Sequence, residues 1–300
     1  SDAKFAGSPY PGIEVGKATG GPNQSITTGL VSPDTLWSCT TCRACVEECP
    51  MMIEHVDAIV DMRRFLTLEK GQTPNKGAEV LENLIATDNP NGFNPGNRMN
   101  WAADQNLRLM SDVKEADVLF WVSDGAFDMR SQRILRAFVK VLKAAKVDFA
   151  VLGDEERDSG DVARRLGDDA TFQSLAARNI AVLQKYQFKT IVTTDPHAFH
   201  CLKNEYPELY PAGNKVDYQV MHHTTFINEL VKAGSLNLSS YNGGTVTYHD
   251  PCYLGRYNGE YDSPRELLAS LGIQLAEMER SGFRSRCCGG GGGAPITDVP

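Results

Sequence analysis

Eight cysteines are the side chains of this 300-residue sequence best suited to metal chemistry, and their spacing sorts them. Cys39, Cys42, Cys45 and Cys49 fall within eleven residues. Cys252, Cys287 and Cys288 lie towards the C-terminal end, and Cys201 stands alone. Clusters this tight have the spacing of metal ligands rather than of disulfides. They imply a reducing compartment in which metal holds the thiolates. In Cys39-x2-Cys42-x2-Cys45-x3-Cys49-Pro50 the close spacing lets three thiolates from one loop reach three corners of a cubane 4Fe–4S cluster. Pro50 ends the loop and redirects the chain, so the fourth thiolate points away. Structural zinc more usually takes two cysteine pairs roughly a dozen residues apart. Zinc and free thiols remain the alternatives. If Cys49 serves a second cubane, that cluster's other ligands lie outside these residues, because no other C-x2-C run occurs.

The second set is Cys252 in HDPCYLGR, then Cys287 and Cys288 after a 34-residue gap, then Gly289. Adjacent cysteines fit one ordinary cubane poorly but can bridge an irregular cluster. The glycine run 289–293 carries no side chains and lets a cluster come close. The alternative is a flexible glycine-rich tail with two buried thiols. A phosphate loop is excluded by the lack of a following Gly-Lys-Ser/Thr.

Position is supplied by the rest of the chain. Residues 1–35 read as an extended Gly/Pro/Ser/Thr-rich arm, and residues 36–111 as a small α-helical segment around the cysteine loop. In that segment Ile53, Val56, Ile59, Val60 and Met62 mark a short amphipathic helix. GAEVLENLIA (77–86) marks another, ahead of a Gly/Pro/Asn-rich loop. From residue 112 apolar runs alternate with helical periods. ADVLFWV (116–122), VDFAVLG, FKTIVTT, VDYQVMH and GTVTYHD read as strands. The helix over 129–146 places Ile134, Leu135, Phe138, Val141 and Leu142 on one face. The pattern predicts an α/β fold: the helical segment, then two βαβ-type halves with mainly parallel sheets, over about 112–210 and 211–300. Function in such sheets gathers at the carboxyl ends of the strands, where Asp124, Asp195, His197 and the run His249–Asp250–Pro251–Cys252 sit.

Composition narrows the function. Hydrophobic residues are 41% and charged residues 23%, as in an ordinary globular protein. The net charge of −8 argues against nucleic-acid binding, which needs a surplus of Lys and Arg. No apolar run approaches the ~20 residues of a membrane span, and no signal-peptide pattern opens the chain.

The motif C-x34-C-C-G resembles the cysteine-rich CCG domain of heterodisulfide-reductase-related iron–sulfur proteins. The resemblance implies a noncubane 4Fe–4S cluster at Cys252, Cys287 and Cys288, completed in that family by a downstream C-x2-C that this sequence lacks. It also implies an earlier half-motif of three thiols. Here those positions carry Asp124 after Ser123, Asp158 in ERDSGDVARR, and Asp195 in Asp195-Pro196-His197-Ala198-Phe199. The first half therefore reads as degenerate, its aspartates as solvated loop carboxylates or as residues that shape a partner surface. WSCTTCRACVEECP, GAFDMRSQRILRAFVKVLKAAKVDFAVLG, TYHDPCYLGRYNGEYDSPRELL and FRSRCCGGGGGAPITD look like the iron–sulfur subunit of bacterial dimethylglycine/sarcosine demethylase systems. That resemblance implies an electron-transfer subunit, with Cys39, Cys42, Cys45 and Cys49 on one cluster and the CCG cysteines on another. Its implied partners are a flavin-containing demethylase subunit and an electron-transfer flavoprotein. It places the protein at the cytoplasmic face of the inner membrane, with any membrane anchor outside this chain. The two unfinished ligand sets read as those of a fragment. A disulfide-reductase-like catalytic subunit, motivated by the His249–Asp250–Cys252 run, and a zinc-stabilised interaction module are the other readings.

Remaining residues have plain readings. His222 and His223 cap or pack a helix, and His55 lies near the cluster loop or on the surface. Cys201 is a buried thiol. Arg63–Arg64 and Arg164–Arg165 are solvated or ion-paired, and Tyr253, Arg256 and Tyr257 flank the second cysteine set.

Overall fold

A computed structural model of the chain describes residues 26–27, 31–74, 76–211, 216–241 and 243–297. The arm expected over 1–35 lies almost wholly outside them. The chain divides into two compact units. One comprises Ser1–Leu81, Val162–Asp169 and Cys287–Pro300; the other comprises Glu82–Asp161 and Ala170–Arg286. These cuts differ from the expected boundaries at 36, 112 and 211. The short segments 162–169 and 287–300 join the N-terminal part through contacts that local periodicity does not encode.

The larger unit contains the expected parallel βαβ architecture. Strands β1 (Val118–Trp121), β2 (Phe149–Ala150), β3 (Thr190–Thr193) and β4 (Gln219–His222) form one parallel sheet in the order β2-β1-β3-β4. β1 is buried at every residue, as its unbroken apolar run requires of a strand covered on both faces. The helix Met129–Ala144 starts where the Asp128 carboxylate accepts from Ser131 N (2.7 Å). It buries Leu135, Phe138, Val139 and Leu142, and the Phe138 ring meets Phe120 edge-on at 5.0 Å between centroids. Each such burial is worth roughly 1.5–3 kcal/mol. Ile134, expected on that face, is instead 53% exposed.

A second parallel pair joins β5 (Thr245–Val246) to β6 (Gln274–Leu275), with the helix Asp262–Ser270 between them. The strand expected along GTVTYHD is thus two residues long. Thr245 is exposed and Val246 only half-buried, so no apolar face extends the ladder.

The smaller unit is helical. Pro33–Trp37 is capped by Ser32, and Ala44–Glu47 lies inside the cysteine loop. The helix expected after Pro50 runs over His55–Arg64 and continues as a wider turn, Phe65–Glu69. Val46, Val56 and Val60 form its apolar cluster, while Ile53 is 55% exposed. Among the described residues no helix is long and apolar enough to cross a membrane.

Candidate metal centre

The cysteine loop turns through left-handed residues that are not glycine: Thr41 (φ 51°), Arg43 (φ 59°) and, just beyond it, Met52 (φ 52°). Such backbone costs on the order of 1 kcal/mol per residue and collects at functional sites. Here it folds the loop back so that its sulfurs feel one another. Burial raises the Cys39 thiol above its ordinary value, and Cys45 and Cys42 raise it further, although Thr41 N and Arg63 oppose the shift. Cys45 is raised likewise by burial first, then by Cys42, with Cys49 adding less. The far end of the loop behaves oppositely. Backbone N–H groups of Ile53, Met51 and Met52 hold the Cys49 thiol below its ordinary value.

The same compact unit contains Cys287 and Cys288. The Cys287 thiol donates to Thr40 Oγ1 at 3.0 Å, inside the ferredoxin-type loop. Backbone N–H groups then point at sulfur: Thr41 N to Cys39 Sγ (3.3 Å), Gly289 N to Cys287 Sγ (3.3 Å) and Gly290 N to Cys288 Sγ (3.4 Å). Donors of this kind stabilise thiolates and tune clusters bound to them. The glycine run reaches the loop because Gly292 is left-handed (φ 64°) and lacks Cβ; a Cβ there would stand 2.6 Å from Cys39 O. Among the described residues no three His, Cys, Asp or Glu side chains converge tightly enough for a single metal ion. A cubane distributes its thiolates over separate irons and so needs a wider spacing of sulfurs than a single ion does.

Cys252 is buried in the larger unit, and its neighbours explain the HDPC run. His249 Nε2 lies 2.8 Å from Arg286 O. Asp250 accepts from Arg265 (2.6 and 2.9 Å) and from Gly282 N (2.7 Å), and its carbonyl accepts from Ser285 Oγ (3.2 Å). Arg256 donates to Phe283 O (2.9 Å) and to Ser285 O. Burial pushes the Asp250 carboxyl up, but Arg265 and Gly282 outweigh it and hold the group below its ordinary value. His249 and Asp250 thus anchor residues 282–286, the segment ending just before Cys287. Tyr253 and Tyr257 stack at 4.4 Å, and His197 stacks on Tyr253 at 4.0 Å while bonding Asp161 (2.7 Å). Cys201 is buried, as expected, with its thiol donating to Glu205 (3.1 Å).

Two of the three aspartates, Asp124 and Asp158, gather in one network rather than standing in solvent, while half-buried Asp195 caps its own helix by accepting from His197 N (2.8 Å). Asn89 Nδ2 donates to Asp124 (3.0 Å), and Gly160 N donates to Asp158 (2.6 Å). Buried Arg98 bonds Glu156 (3.0 Å) and Ser123 O (3.0 Å), and its other nitrogen lies 3.6 Å from Asp124. Glu156 also accepts from Val122 N (2.9 Å) and Ser123 N (2.7 Å), across a left-handed Ser123 (φ 60°). Burial and the Asp124 charge push the Asp158 carboxyl well above its ordinary value; burial raises Asp124 despite Arg98, and Asp195 adds to it. The hydrogen bond between the two carboxyls raises Asp158 further and opposes the rise of Asp124. Sequence reading missed this network because Asn89, Arg98 and Glu156 carry no motif.

Other expectations resolve as follows. His222 caps and packs: it precedes the helix His223–Lys232, bonds Thr224 Oγ1 (2.7 Å), and is pushed down to about 3 by burial and His223. His223 is pushed down to about 4 by burial. Arg64 is ion-paired with Asp61 (3.1 Å), but Arg63 is fully buried.

The CCG cysteine-rich domain family matches residues 118–203 and 246–298. The chain is 69% identical over its whole length to a probable membrane-anchored ferredoxin of Chromohalobacter salexigens, covering 45% of that protein. It is 40% identical over 90% of its length to the EtfAB:quinone oxidoreductase of Syntrophomonas wolfei, covering 38% of it. It is 31% identical over 87% of its length to a dihydromethanophenazine:CoB–CoM heterodisulfide reductase subunit of Methanosarcina barkeri, covering 63% of it. The chain therefore spans less than two thirds of each of these relatives. No solved structure matches it. The matches support iron–sulfur cluster binding, in keeping with sulfurs that take backbone N–H bonds. The chain thus resembles the cysteine-rich CCG family in two segments and is similar along most of its length to proteins whose names mark them as a ferredoxin, a quinone oxidoreductase and a heterodisulfide reductase subunit.

Proposed function

We propose that this chain is the iron–sulfur electron-transfer part of a flavin-linked oxidoreductase. Cys39, Cys42, Cys45 and Cys49 hold a 4Fe–4S cubane, and the motif of Cys252, Cys287 and Cys288 serves a second, noncubane cluster. One observation carries the reading. The four thiols of the ferredoxin-type loop share a compact unit with Cys287 and Cys288, and backbone N–H groups point at the sulfurs of Cys39, Cys287 and Cys288. When bound, the clusters accept and release single electrons. The chain's own residues fix the thiolates, shield Cys39 by partial burial and leave Cys45 exposed, where an electron would enter or leave.

The relative that couples EtfAB to quinone supports a route from an electron-transfer flavoprotein to a membrane quinone. The membrane-anchored relative supports a place at the membrane face, through residues outside this chain. The source of the electrons, a flavin subunit oxidising the N-methyl group of a dimethylglycine- or sarcosine-type amine, rests on the motif resemblance alone. The test is anaerobic purification, iron and sulfide analysis, then mixing with reduced electron-transfer flavoprotein while following the visible absorbance. Stoichiometric iron and sulfide with bleaching on mixing is the expected result. A colourless protein containing stoichiometric zinc would sink the reading.

A further inference from the structure

We propose that Arg63 is a positioning residue for the cluster centre. Its buried guanidinium clasps the Cys39 loop to the glycine run behind Cys287–Cys288, and its charge raises the reduction potential of the cluster beside it. The tuning half of this inference rests on the proposed cluster at Cys39; the clasp does not.

Arg63 has no exposed surface. Nε donates to Leu36 O (3.0 Å), and Nη2 donates to Leu36 O (2.6 Å), Trp37 O (3.3 Å) and Cys39 O. Nη1 donates to Arg165 O (2.9 Å) and Gly292 O (2.7 Å). The guanidinium also lies over the Trp37 ring at 5.0 Å. One side chain thus ties three segments of the same unit: the entry to the cysteine loop, the end of the helix Asp161–Arg165, and the tail that follows the CCG motif. Two glycines make room for it. A Cβ on Gly167 would stand 2.5 Å from the carbonyl carbon of Arg63, and one on Gly292 would strike Cys39 O.

The geometry calls for arginine. A planar fork of five N–H donors reaches carbonyls on several sides at once, whereas lysine offers three donors around a point charge. Carbonyl dipoles solvate the cation without neutralising it. A fixed positive charge within reach of Cys39 stabilises the more negative, reduced state of a cluster on that thiolate. Arg64, next in sequence and paired at the surface with Asp61, supplies an internal control.

The experiment compares the 300-residue chain with Arg63→Met, Arg63→Lys and Arg64→Met. Each is reconstituted anaerobically with iron and sulfide for an EPR-monitored redox titration. Hydrogen exchange over residues 289–297 is measured on protein without added iron. In Arg63→Met the reduced fraction at a fixed poise is expected to fall about tenfold, a drop of about 59 mV for a one-electron couple. Exchange of the tail amides is expected to accelerate about tenfold. Arg63→Lys should recover the potential but not the protection, and Arg64→Met should match wild type in both. An unchanged potential in Arg63→Met overturns the tuning role, and unchanged exchange overturns the clasp. If Arg63→Met does not fold, Arg63→Lys decides: full tail protection in that variant overturns the clasp. If the wild-type chain takes up zinc and no iron, the proposed function fails, while the exchange comparison still decides the clasp.

Discussion

The two segments that match the CCG family model treat the same kind of position in opposite ways. In residues 118–203 the positions that resemble ligand sites carry Asp124, Asp158 and Asp195, and the first two carboxyls are bound internally by Asn89, Arg98 and Gly160. In residues 246–298 the positions remain cysteine, and Cys287 and Cys288 are exposed with glycine N–H groups on their sulfurs. A buried carboxylate demands cations and hydrogen bonds from the protein itself. An exposed thiol demands little and stays available to metal. The loss of thiols in the first segment is therefore accompanied by a built polar core around Asp124 and Asp158.

The largest expected effect tests that division directly. Cys252→Ser should remove the iron and sulfide of the second motif while leaving the cubane content in place. Asp195→Asn should leave iron and sulfide unchanged, because asparagine still accepts from His197 N at the cap (2.8 Å now). Metal analysis and EPR on the three proteins decide it. Iron loss from Asp195→Asn would mean that the first segment takes part in cluster binding after all.

Stability supplies the next contrast. Arg98 is 2% exposed and serves Glu156, which has no exposed surface. Arg98→Met strands that carboxylate and should cost about 3–5 kcal/mol in denaturant unfolding. Arg265 serves Asp250 from a side chain 21% exposed, where water can reach in, so Arg265→Met should cost about half as much. Equal losses would erase the difference between a closed carboxylate core and a half-open anchor.

Much of this was legible in the sequence where the signal is local. The cysteine spacings, β1 as a run of buried apolar residues and the helix Met129–Ala144 all follow from spacing and period. What escaped is long-range. Arg63 reads as one of two adjacent surface arginines, because nothing near it reveals that Arg165 O and Gly292 O converge on it. Ile134 fits the apolar period but sits at the rim of its face. Asp124 reads as solvated, because its partners Asn89 and Arg98 belong to no motif. β6 escaped because a two-residue strand, one residue exposed and one half-buried, carries no period.

The smallest expected effect is in the sign of the pH response, where each segment contributes one aspartate. Asp158 is raised above its ordinary 3.8 on folding, by burial first and then by Asp124. The native state holds that proton where the unfolded chain has released it. Its contribution to stability is complete below about pH 4 and is lost as pH rises through the raised value. Asp250 is held below 3.8 because Arg265 and Gly282 outweigh burial, so its contribution is present above about pH 4 and is lost on further acidification. Denaturant midpoints between about pH 3 and pH 8 should therefore separate the two substitutions. Asp158→Asn is expected to flatten a decline with rising pH and to narrow its deficit, or gain, towards neutrality. Asp250→Asn is expected to show its full deficit, about 2 kcal/mol, at neutral pH and to approach wild type below about pH 4. Parallel profiles for the two variants would mean that the carboxyls of both segments are held alike, and that the contrast between a carboxyl raised by burial and one lowered by an arginine anchor is wrong.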